Sequence, residues 1–412
     1  MQQAHSWGIG VVAVAIVLGV VVGLRQPHPP AAIGNDTVTA FLQQHWRAPV
    51  PLQGAPPATY APLEASLHPQ DCGVCHPQQY RDWQSSLHSR SMGPGVYGQL
   101  LETDAASATL CATCHTPLSE QIPQREQGGE YLQNPAFDAQ LQHAGLVCAG
   151  CHVRAHRRFG PPRRPELPFL PAGTVLPHGG FTESVAFQSA EFCISCHQFN
   201  PGDFALNGKL IENTYEEWRH SPYAQEGIQC QTCHMPDRRH LWRGIHDAEM
   251  VKQAMAVTIT PKASPYTTED QIQAKITVTN VGAGHYLPTY VTPKIIVQAH
   301  LLDTQGHMLP DSAQEAVIGR EVTLDLSAEL YDTRLPPKAS RAFTYTAVMP
   351  TAVALHVRVV VHPDHFYQRF FATTLQDGGG GAGRGHLEDA LRLTQESPFT
   401  VFEQTLPLKT SE

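Results

Sequence analysis

The chain has 412 residues, of which 42% are apolar and 16% are charged, and its formal net charge is −9. This composition is typical of a globular protein with roughly two to three folded units. It shows no stripe of basic residues that would bind a nucleic acid backbone, so we expect no nucleic acid partner. An acidic surface favours protein partners that present a basic patch.

An uncharged apolar run covers residues 8–24. A membrane helix needs about 17–25 such residues, so we predict a membrane anchor or signal segment in residues 1–24. The start of the chain has no Lys or Arg, which favours an uncleaved anchor over a cleaved signal. The flanking Arg25 favours the reverse orientation, which the chemistry of the next segment overrides. Residues 25–64 are rich in proline and alanine and are predicted to form a tether.

All ten cysteines fall into five Cys-x-x-Cys-His motifs, and none is left over. The positions i, i+3 and i+4 lie on one face of a helix, so two thiols can form thioethers to one haem while the imidazole binds its iron. A zinc site, a disulfide or a thioredoxin-like pair is the alternative for a single copy, and five complete copies exclude it. The cysteines are Cys72, Cys75, Cys111, Cys114, Cys148, Cys151, Cys193, Cys196, Cys230 and Cys233. The histidines are His76, His115, His152, His197 and His234.

The motifs predict five haem c groups in a domain over residues 65–250. One motif occurs per roughly forty residues, which leaves room only for short helices and loops. We expect the cofactors to supply much of the apolar core that a segment so rich in loops cannot form by itself.

The C-terminal part of the chain alternates apolar and polar residues, which indicates strands with one buried face. The alternating runs begin at Ile272, Ile295 and Leu355, and turn-like breaks separate them. We therefore predict an antiparallel β-sandwich over residues 255–375, followed by a Gly-rich loop and helical tail over 376–412. The predicted fold class is α+β, with an N-terminal membrane helix, a short-helix, loop-rich multihaem cytochrome domain and a C-terminal antiparallel β-sandwich.

The sixth position of each iron decides between an electron carrier and an enzyme. Two imidazoles give a low-spin centre, whereas a vacant position binds substrate. The chain has 23 histidines, so the ligands on the far side of each haem can come from those outside the motifs. His88, which follows the first motif, is the first candidate, and His178, which precedes the fourth motif, is the second.

Three more candidate ligands follow from position. His156 is too close to the third motif to reach the opposite face of the same haem, so it would serve a neighbouring haem or remain solvated in a basic stretch. His246 and His240 both follow the fifth motif, and we favour His246 with His240 in reserve. His285 lies in a glycine-rich turn after a predicted strand, where glycine allows close backbone approach. We interpret it as a ligand delivered from the β-domain, the alternative being an ordinary loop histidine.

An internal repeat puts one ligand in doubt. The aromatic spacing of residues 80–88 recurs in residues 215–223, but Tyr223 stands where the first copy ends in histidine. Either His220 or a more distant histidine substitutes, or one haem keeps an open or tyrosine-lined position. His143 is a further possible ligand. The alternative is that the aromatic residues of the second copy only pack on a porphyrin.

These motifs, with the segments EFCISCHQF, YEEWRHSPYAQEGIQCQTCHMP and GAGHYLPT, resemble a class of multihaem cytochromes related to the tetrahaem cytochrome and hydroxylamine oxidoreductase of ammonia oxidisers. The resemblance covers residues 41–405. It implies closely stacked haems, mostly with two histidine ligands, that pass electrons between membrane donors and periplasmic or surface acceptors. The Cys-x-x-Cys-Lys motif of pentahaem nitrite reductases is absent, and full hydroxylamine oxidoreductases have more haems, which both count against catalysis.

We therefore expect a periplasm-facing electron carrier, anchored in the inner membrane, with redox proteins as partners. The first alternative is an oxidoreductase that acts on a small nitrogen or sulfur compound at one five-coordinate haem near Tyr223. The second alternative is a subunit of an extracellular electron-conducting assembly.

Overall fold

The structure is a computed structural model, and it describes residues 35–166, 171, 173–262, 271–348 and 351–408. The apolar run at 8–24, and with it the predicted anchor, lies outside the described residues. Within these ranges no helix is long and apolar enough to cross a membrane. The predicted fold class, with its N-terminal membrane helix, is therefore wrong as stated: the described chain is a mixed fold of helices and strands with several sheets. Its helices are short because motifs, prolines and glycines interrupt them.

Short helices joined by loops make up the N-terminal half. Proline occupies the start of several of them, where its missing N–H is not needed. These helices are α1 (Asn35–His45), α2 (Pro62–Ala65), α3 (Pro69–Cys75), α4 (Pro77–Gln84), α5 (Pro94–Leu100), α6 (Ala105–His115), α7 (Ala139–His143), α8 (Cys148–His152), α9 (Ile194–His197), α10 (Thr214–Arg219), α11 (Pro222–Gln225), α12 (Cys230–His234) and α13 (Ala248–Ala254).

Small strands connect these helices. They are β1 (Gln124–Gln127), β2 (Glu130–Gln133), β3 (Val153–Arg154), β4 (Arg157–Gly160), β5 (Thr182–Glu183), β6 (Ala205–Leu206) and β7 (Lys209–Leu210). β1–β2 and β6–β7 are two-stranded hairpins, while β3, β4 and β5 form a small three-stranded sheet. Each of these pieces is too small to form a core of its own, so this half depends on packing between its helices.

Two antiparallel sheets face each other in the C-terminal half. Their strand orders are β12-β11-β10-β14-β15 and β13-β9-β8. Alternate residues of β9 and β10 are buried between the sheets, as their sequence alternation predicts. The strands are β8 (Met255–Pro261), β9 (Ile272–Asn280), β10 (Lys294–Leu302), β11 (Gln314–Val322), β12 (Glu329–Asp332), β13 (Ser340–Ala347), β14 (Ala354–His362) and β15 (Phe399–Pro407).

Two helices return from the sandwich to the N-terminal half before the last strand. They are α14 (His365–Gln376) and α15 (Arg384–Glu396). A Cβ atom on Gly383, the residue before α15, would clash with the carbonyl oxygen of Gly98 in α5, so the chain enters α15 in close contact with α5 at a glycine. Tyr367 of α14 lies near Cys111 of the second motif. Helix α14 therefore lies beside the second motif.

Ion pairs join the two halves. Arg334 lies 2.9 Å from Glu217 of α10, and both side chains are only 4% exposed. Lys209 of the β6–β7 hairpin lies 2.9 Å from Glu329, which also pairs with Arg320 at 2.8 Å. A buried ion pair is strongly destabilised when one partner is removed, so this network ties the N-terminal half to the sandwich.

Candidate functional site

Each Cys-x-x-Cys-His motif lies on or at the end of a short helix, as its spacing predicts. The second motif closes α6, which is capped by Asp104: its carboxylate accepts hydrogen bonds from the backbone N–H groups of Ala106 and Ser107, both at 3.0 Å. All ten cysteines are free thiols. The two thiols and the imidazole of a motif can therefore converge on one cofactor.

Backbone carbonyls orient several motif histidines through the ring nitrogen Nδ1. The contacts join His115 to Ser91 (2.6 Å), His152 to Phe159 (2.7 Å) and His234 to Arg243 (2.6 Å). A carbonyl only accepts, so Nδ1 carries the proton and the lone pair of Nε2 remains free to bind a metal. Metal-binding histidines commonly show this arrangement.

Three motif histidines face a second histidine across a gap. The ring centroids are 6.3 Å apart for His197 and His88, 6.1 Å for His152 and His240, and 6.3 Å for His234 and His285. An imidazole nitrogen binds a metal at about 2.0 Å, and the ring centroid lies about 1.1 Å further back, so two imidazoles on one iron have centroids roughly 6 Å apart. Each gap fits one haem iron between its two imidazoles.

A fourth pair forms at the first motif. Burial lowers the pKa of His76, and the nearby imidazole of His178 adds to this effect. His178 has a left-handed backbone (φ 43°). Tyr60 donates to its carbonyl at 2.7 Å, and the carboxylate of Glu64 accepts from its N–H at 2.7 Å. Its Nδ1 contacts the carbonyl of Gly180 at 2.9 Å, which leaves Nε2 free.

Burial keeps the paired imidazoles neutral. It lowers the pKa of His88 to about 3 and the pKa values of His197 and His152 to about 4, and neighbouring histidines lower them further. Neutral imidazole is the form that binds a metal. These histidines are therefore available as ligands at neutral pH without losing a proton.

Trp242 supports two of the paired histidines from one position. Its indole ring lies edge-on to His88 with centroids 4.7 Å apart, and to His240 with centroids 5.1 Å apart. The backbone of Trp242 is left-handed (φ 42°), which turns the chain sharply after His240. One aromatic side chain thus fixes ligands of the third and fourth sites.

The loop after β9 delivers His285. Asn280 is fully buried; its side-chain amide donates to the carbonyl of His285 at 3.0 Å and accepts from the N–H of Ala283 at 3.0 Å. A Cβ atom on Gly282 would lie 2.4 Å from the carbonyl oxygen of Gln253, so this position requires glycine. The glycines of this turn allow the close approach that the sequence predicts.

The internal repeat of the sequence is also a structural repeat. In each copy a tryptophan Nε1 donates to a carbonyl two residues before a motif cysteine. These bonds run from Trp83 to Leu146 and from Trp218 to Ile228, both at 2.8 Å. Tyr223, which replaces the histidine of the first copy, donates to the carbonyl of Val281 at 2.6 Å. The fifth site takes its second imidazole from His285, in the loop that Tyr223 contacts.

The second site lacks such a pair. No other described histidine stands opposite His115, and burial is the cause that lowers its pKa. The side chains near this motif are different: Tyr367 lies near Cys111 and Glu212 lies near Cys114. Three sites therefore have two imidazoles at the spacing of one metal, the first site has His178 near its motif histidine, and the described residues supply one imidazole to the second site.

Two predicted ligands do not reach any of these gaps. The Nε2 atom of His246 lies 2.9 Å from the carboxylate of Asp364. The Nε2 atom of His156 lies 3.0 Å from the carbonyl of Gly54. In both, Nε2 has a polar partner and the ring does not face a motif histidine of the described chain, whereas His240 stands opposite the third motif. The neighbouring Trp242 is the sequence signal that distinguishes His240 from His246.

The two further histidines considered as ligands also lie elsewhere. His220 is exposed, and its Nδ1 contacts the carbonyl of Glu216 at 2.8 Å. His143 is exposed and packs against the ring of Tyr97 with centroids 4.6 Å apart. Neither imidazole faces a motif histidine.

The five sites lie next to one another and form a branched row. Thiols of different motifs are in contact: Cys72 with Cys148, Cys114 with Cys196, and Cys193 with Cys230. Cys151 lies close enough to raise the pKa values of Cys193 and Cys196. The fourth site therefore has the second, third and fifth sites as neighbours, and the first site is reached through the third.

Exposure separates the ends of this row from its centre. Cys75, Cys111 and Cys233 are exposed, and they belong to the first, second and fifth motifs. Every cysteine of the third and fourth motifs is less exposed. The three ends of the row therefore reach the surface, while the junction is enclosed.

No protein family and no curated relative matches the chain. Among solved structures it is similar to a penta-haem cytochrome c552 from Thermochromatium tepidum, with a TM-score of 0.60 and 17% identity over 84% of this chain and 100% of that chain. A structural genomics target, SoR45, matches 38% of this chain and 87% of its own with a TM-score of 0.19 and 11% identity, too low to indicate a shared fold. The chain has the fold of the penta-haem c-type cytochrome.

Proposed function

We propose that this chain binds five haem c groups and passes electrons between redox proteins. The observation that carries the proposal is the set of four histidine pairs, three of them at the centroid distance that one iron requires. The ten motif cysteines would attach the haems. The pairs that would hold iron are His76 with His178, His152 with His240, His197 with His88, and His234 with His285. A haem held by two imidazoles exchanges single electrons without binding substrate.

The protein's own groups would tune each centre. A carbonyl that accepts from Nδ1–H makes the imidazole a stronger donor and fixes its plane. His88, His152 and His197 are partly buried, and this burial lowers their pKa values and keeps their rings neutral. Trp242 would hold the planes of His88 and His240 against rotation. These groups support fast outer-sphere transfer, because little needs to move when the charge of the centre changes.

The arrangement of the sites supports a branched route with the fourth site as its junction. Electrons would enter and leave at the first, second or fifth site, where one cysteine is exposed. The net charge of −9 favours partners with a basic docking surface. We propose that the chain lies on the periplasmic side of the inner membrane, where haem c is attached. We also propose that it is related to the hydroxylamine oxidoreductase class.

The direct test is to produce the full chain in a host that attaches haem c. The intact mass and the pyridine haemochrome spectrum are expected to give five haems per chain, and changing both cysteines of one motif to serine removes one haem. Rapid mixing with a reductant and then an oxidant is expected to reduce and reoxidise all five. Fewer than five haems in the unchanged chain contradicts the proposal.

The second site supports a second candidate function, the conversion of a small nitrogen or sulfur compound at an open haem position. His115 has no described histidine opposite it. Burial raises the pKa of Glu212, near Cys114, to about 8, so its carboxyl group can hold a proton at neutral pH. Burial and the charge of Glu212 also raise the pKa of Tyr290, which places a second protonated group beside it. These neighbours favour the second site over the position near Tyr223, whose hydroxyl is occupied by Val281.

Ligand binding tests this second function. Hydroxylamine or cyanide is expected to change the haem spectrum with one equivalent bound per chain. Glu212→Gln is expected to change the pH dependence of that binding, while Tyr223→Phe leaves it unchanged. If neither compound changes the spectrum, the second function is ruled out and the electron carrier remains.

A further inference from the structure

Arg154 begins a tight hairpin two residues after the third motif histidine. The strands β3 and β4 pair Arg154 with Arg157. The two residues between them, Ala155 and His156, have φ values of 48° and 57°. Two consecutive left-handed residues form the favoured two-residue hairpin turn. The turn fixes the backbone of Arg154 beside the third motif.

Two of the three guanidinium nitrogens of Arg154 donate to backbone carbonyls of the described residues. Its Nε donates to the carbonyl of His45 at 2.6 Å, and Nη1 donates to the carbonyl of Val153 at 2.6 Å. Its Nη2 is inaccessible to solvent and has no hydrogen-bond partner. The guanidinium carbon lies 5.2 Å from the centre of the Trp46 ring, and the indole Nε1 is also buried without a partner. Two stacked side chains thus each present a buried, unused N–H donor.

Among the described residues, the groups around this cation carry no compensating negative charge. Burial lowers the pKa of Arg154 to about 10, so it stays charged at neutral pH, and the neighbour that opposes this shift is Cys151. Burial raises the pKa of the Cys151 thiol to about 11, and that thiol becomes a thioether when haem is attached. Burial lowers the pKa of His45 to about 3, so His45 is neutral. A buried cation without an anion is strongly destabilising, which indicates that an anion belongs here.

We propose that Arg154 and Trp46 bind a propionate carboxylate of one of the haems. This rests on the proposed function, which supplies the haems. An ionised carboxylate only accepts hydrogen bonds, whereas guanidinium and indole N–H groups only donate, so the two sets are complementary. The site lies between two motifs: Arg154 is near Cys151 of the third, and Trp46 packs against Phe192, next to the fourth, with ring centroids 5.3 Å apart.

The positive charge of Arg154 favours the reduced form of the haem whose propionate it binds. Reduction adds an electron to the iron, and a nearby cation stabilises the product more than the oxidised form. For charges roughly 10 Å apart at an effective dielectric constant of about 20, the effect is about tenfold in the equilibrium constant for reduction. Arg154 therefore raises the potential of one of the enclosed haems near the junction.

The experiment is a spectroelectrochemical titration of the full chain with haems attached. In Arg154→Gln, the midpoint potential of one haem is expected to fall by about 59 mV. For a one-electron couple this equals a tenfold change in the equilibrium constant for reduction. Trp46→Phe keeps the ring and removes the N–H, so the same haem is expected to shift in the same direction by less. Arg157→Gln is the matched control, because Arg157 is an exposed arginine of the same hairpin, and no midpoint is expected to move.

The outcomes separate this proposal from the proposed function. Absence of haem from the unchanged chain contradicts the function. If Arg154→Gln carries the normal haem content and no midpoint moves, or if all midpoints move together, the propionate site is wrong and the function stands. If Arg154→Gln does not fold, Arg154→Lys and Trp46→Phe provide the test. The lysine variant retains the charge, so the midpoint potential of that haem is expected to shift by less than the equivalent of tenfold. If no midpoint potential shifts in Trp46→Phe, the proposed site is contradicted.

Discussion

The second site and the other four share the same motif but differ in what stands opposite its histidine. Four sites have a second imidazole, whereas the second has Tyr367 and Glu212 as described neighbours of its cysteines. In the proposed function the motif would determine where a haem is attached, and residues far away in the sequence would determine how its iron is coordinated. The difference between a carrier site and a ligand-binding site therefore lies in tertiary structure.

The second imidazoles also come from different parts of the fold. His88 and His240 belong to the N-terminal half and share Trp242, whereas His285 comes from a loop of the sandwich. The second site lies beside α14, and no described residue of the N-terminal half or of the sandwich supplies a second imidazole to it. Two kinds of variant test this difference. One removes the second imidazole from a paired site, and the other weakens the contacts that hold the loop of His285.

The largest effect is expected from removing one second imidazole. His240→Ala should convert the third site from a low-spin centre to one that binds an external ligand, because its iron loses one of two nitrogen ligands. Absorption and magnetic circular dichroism spectra measure this change. A cyanide titration is expected to show one more equivalent bound than in the unchanged chain.

His246→Ala is the matched control for that variant. His246 follows the same motif, but its Nε2 contacts Asp364 rather than a gap. The absorption spectrum of His246→Ala is expected to match that of the unchanged chain. A loss of one low-spin haem in His246→Ala, with none in His240→Ala, contradicts the pairing of His152 with His240.

The next largest effect concerns the connection that holds the His285 loop. Arg334→Met leaves the buried carboxylate of Glu217 without its cation. Glu217 also accepts from the backbone N–H of Tyr286 at 3.1 Å, next to His285. Loss of one partner of a buried pair costs about 3–5 kcal/mol, so the unfolding midpoint in urea should fall strongly. The exposed pair of Arg392 with Glu396 supplies the control Arg392→Met, expected within about 0.5 kcal/mol.

A smaller effect is expected from crowding the same loop. In Gly282→Ala the new Cβ would lie 2.4 Å from the carbonyl oxygen of Gln253, which forces the backbone apart. Overpacking of this kind costs about 1–3 kcal/mol. Gly244→Ala has open space around its Cβ and serves as the control. Equal stability of the two variants in thermal unfolding would mean that the loop does not need close contact.

The smallest effect concerns acid stability of the connection. Burial alone would raise the pKa of Asp332, but hydrogen bonds from Arg334 and Lys209 hold it below its usual value. A lowered carboxyl pKa contributes stability above the unfolded value of about 3.9, and this contribution is lost as the pH falls further. Asp332→Asn should therefore be less stable than the unchanged chain at pH 7, by roughly 1 kcal/mol, and the gap should narrow below pH 4. A gap that is constant between pH 3 and pH 7 contradicts this.

The sequence predicts well what depends on short spacing. The motif helices follow from positions i, i+3 and i+4, and β9, β10 and β14 follow from alternation beginning near Ile272, Ile295 and Leu355. The glycines before His285 indicate a close approach, which the contact of Gly282 with Gln253 explains. Each of these features is local, so a single sequence contains its cause.

Features that depend on tertiary contacts are not predictable in this way. His240 and His246 follow the same motif, and only Trp242 on one side and Asp364 on the other separate their roles. Helix α14 (His365–Gln376) begins inside the range predicted as sandwich, where the sequence analysis identifies no strand after the run that begins at Leu355. The membrane helix in the predicted fold class rested on apolar length alone, and no helix of the described chain meets that criterion.

Low-temperature EPR combined with magnetic circular dichroism of the oxidised full chain tests the central claim most directly, because it counts how each iron is coordinated. We expect four low-spin haems with two imidazoles and one haem with a different signal that changes when cyanide is added. Five low-spin haems with two imidazoles, or two or more that bind cyanide, would contradict it.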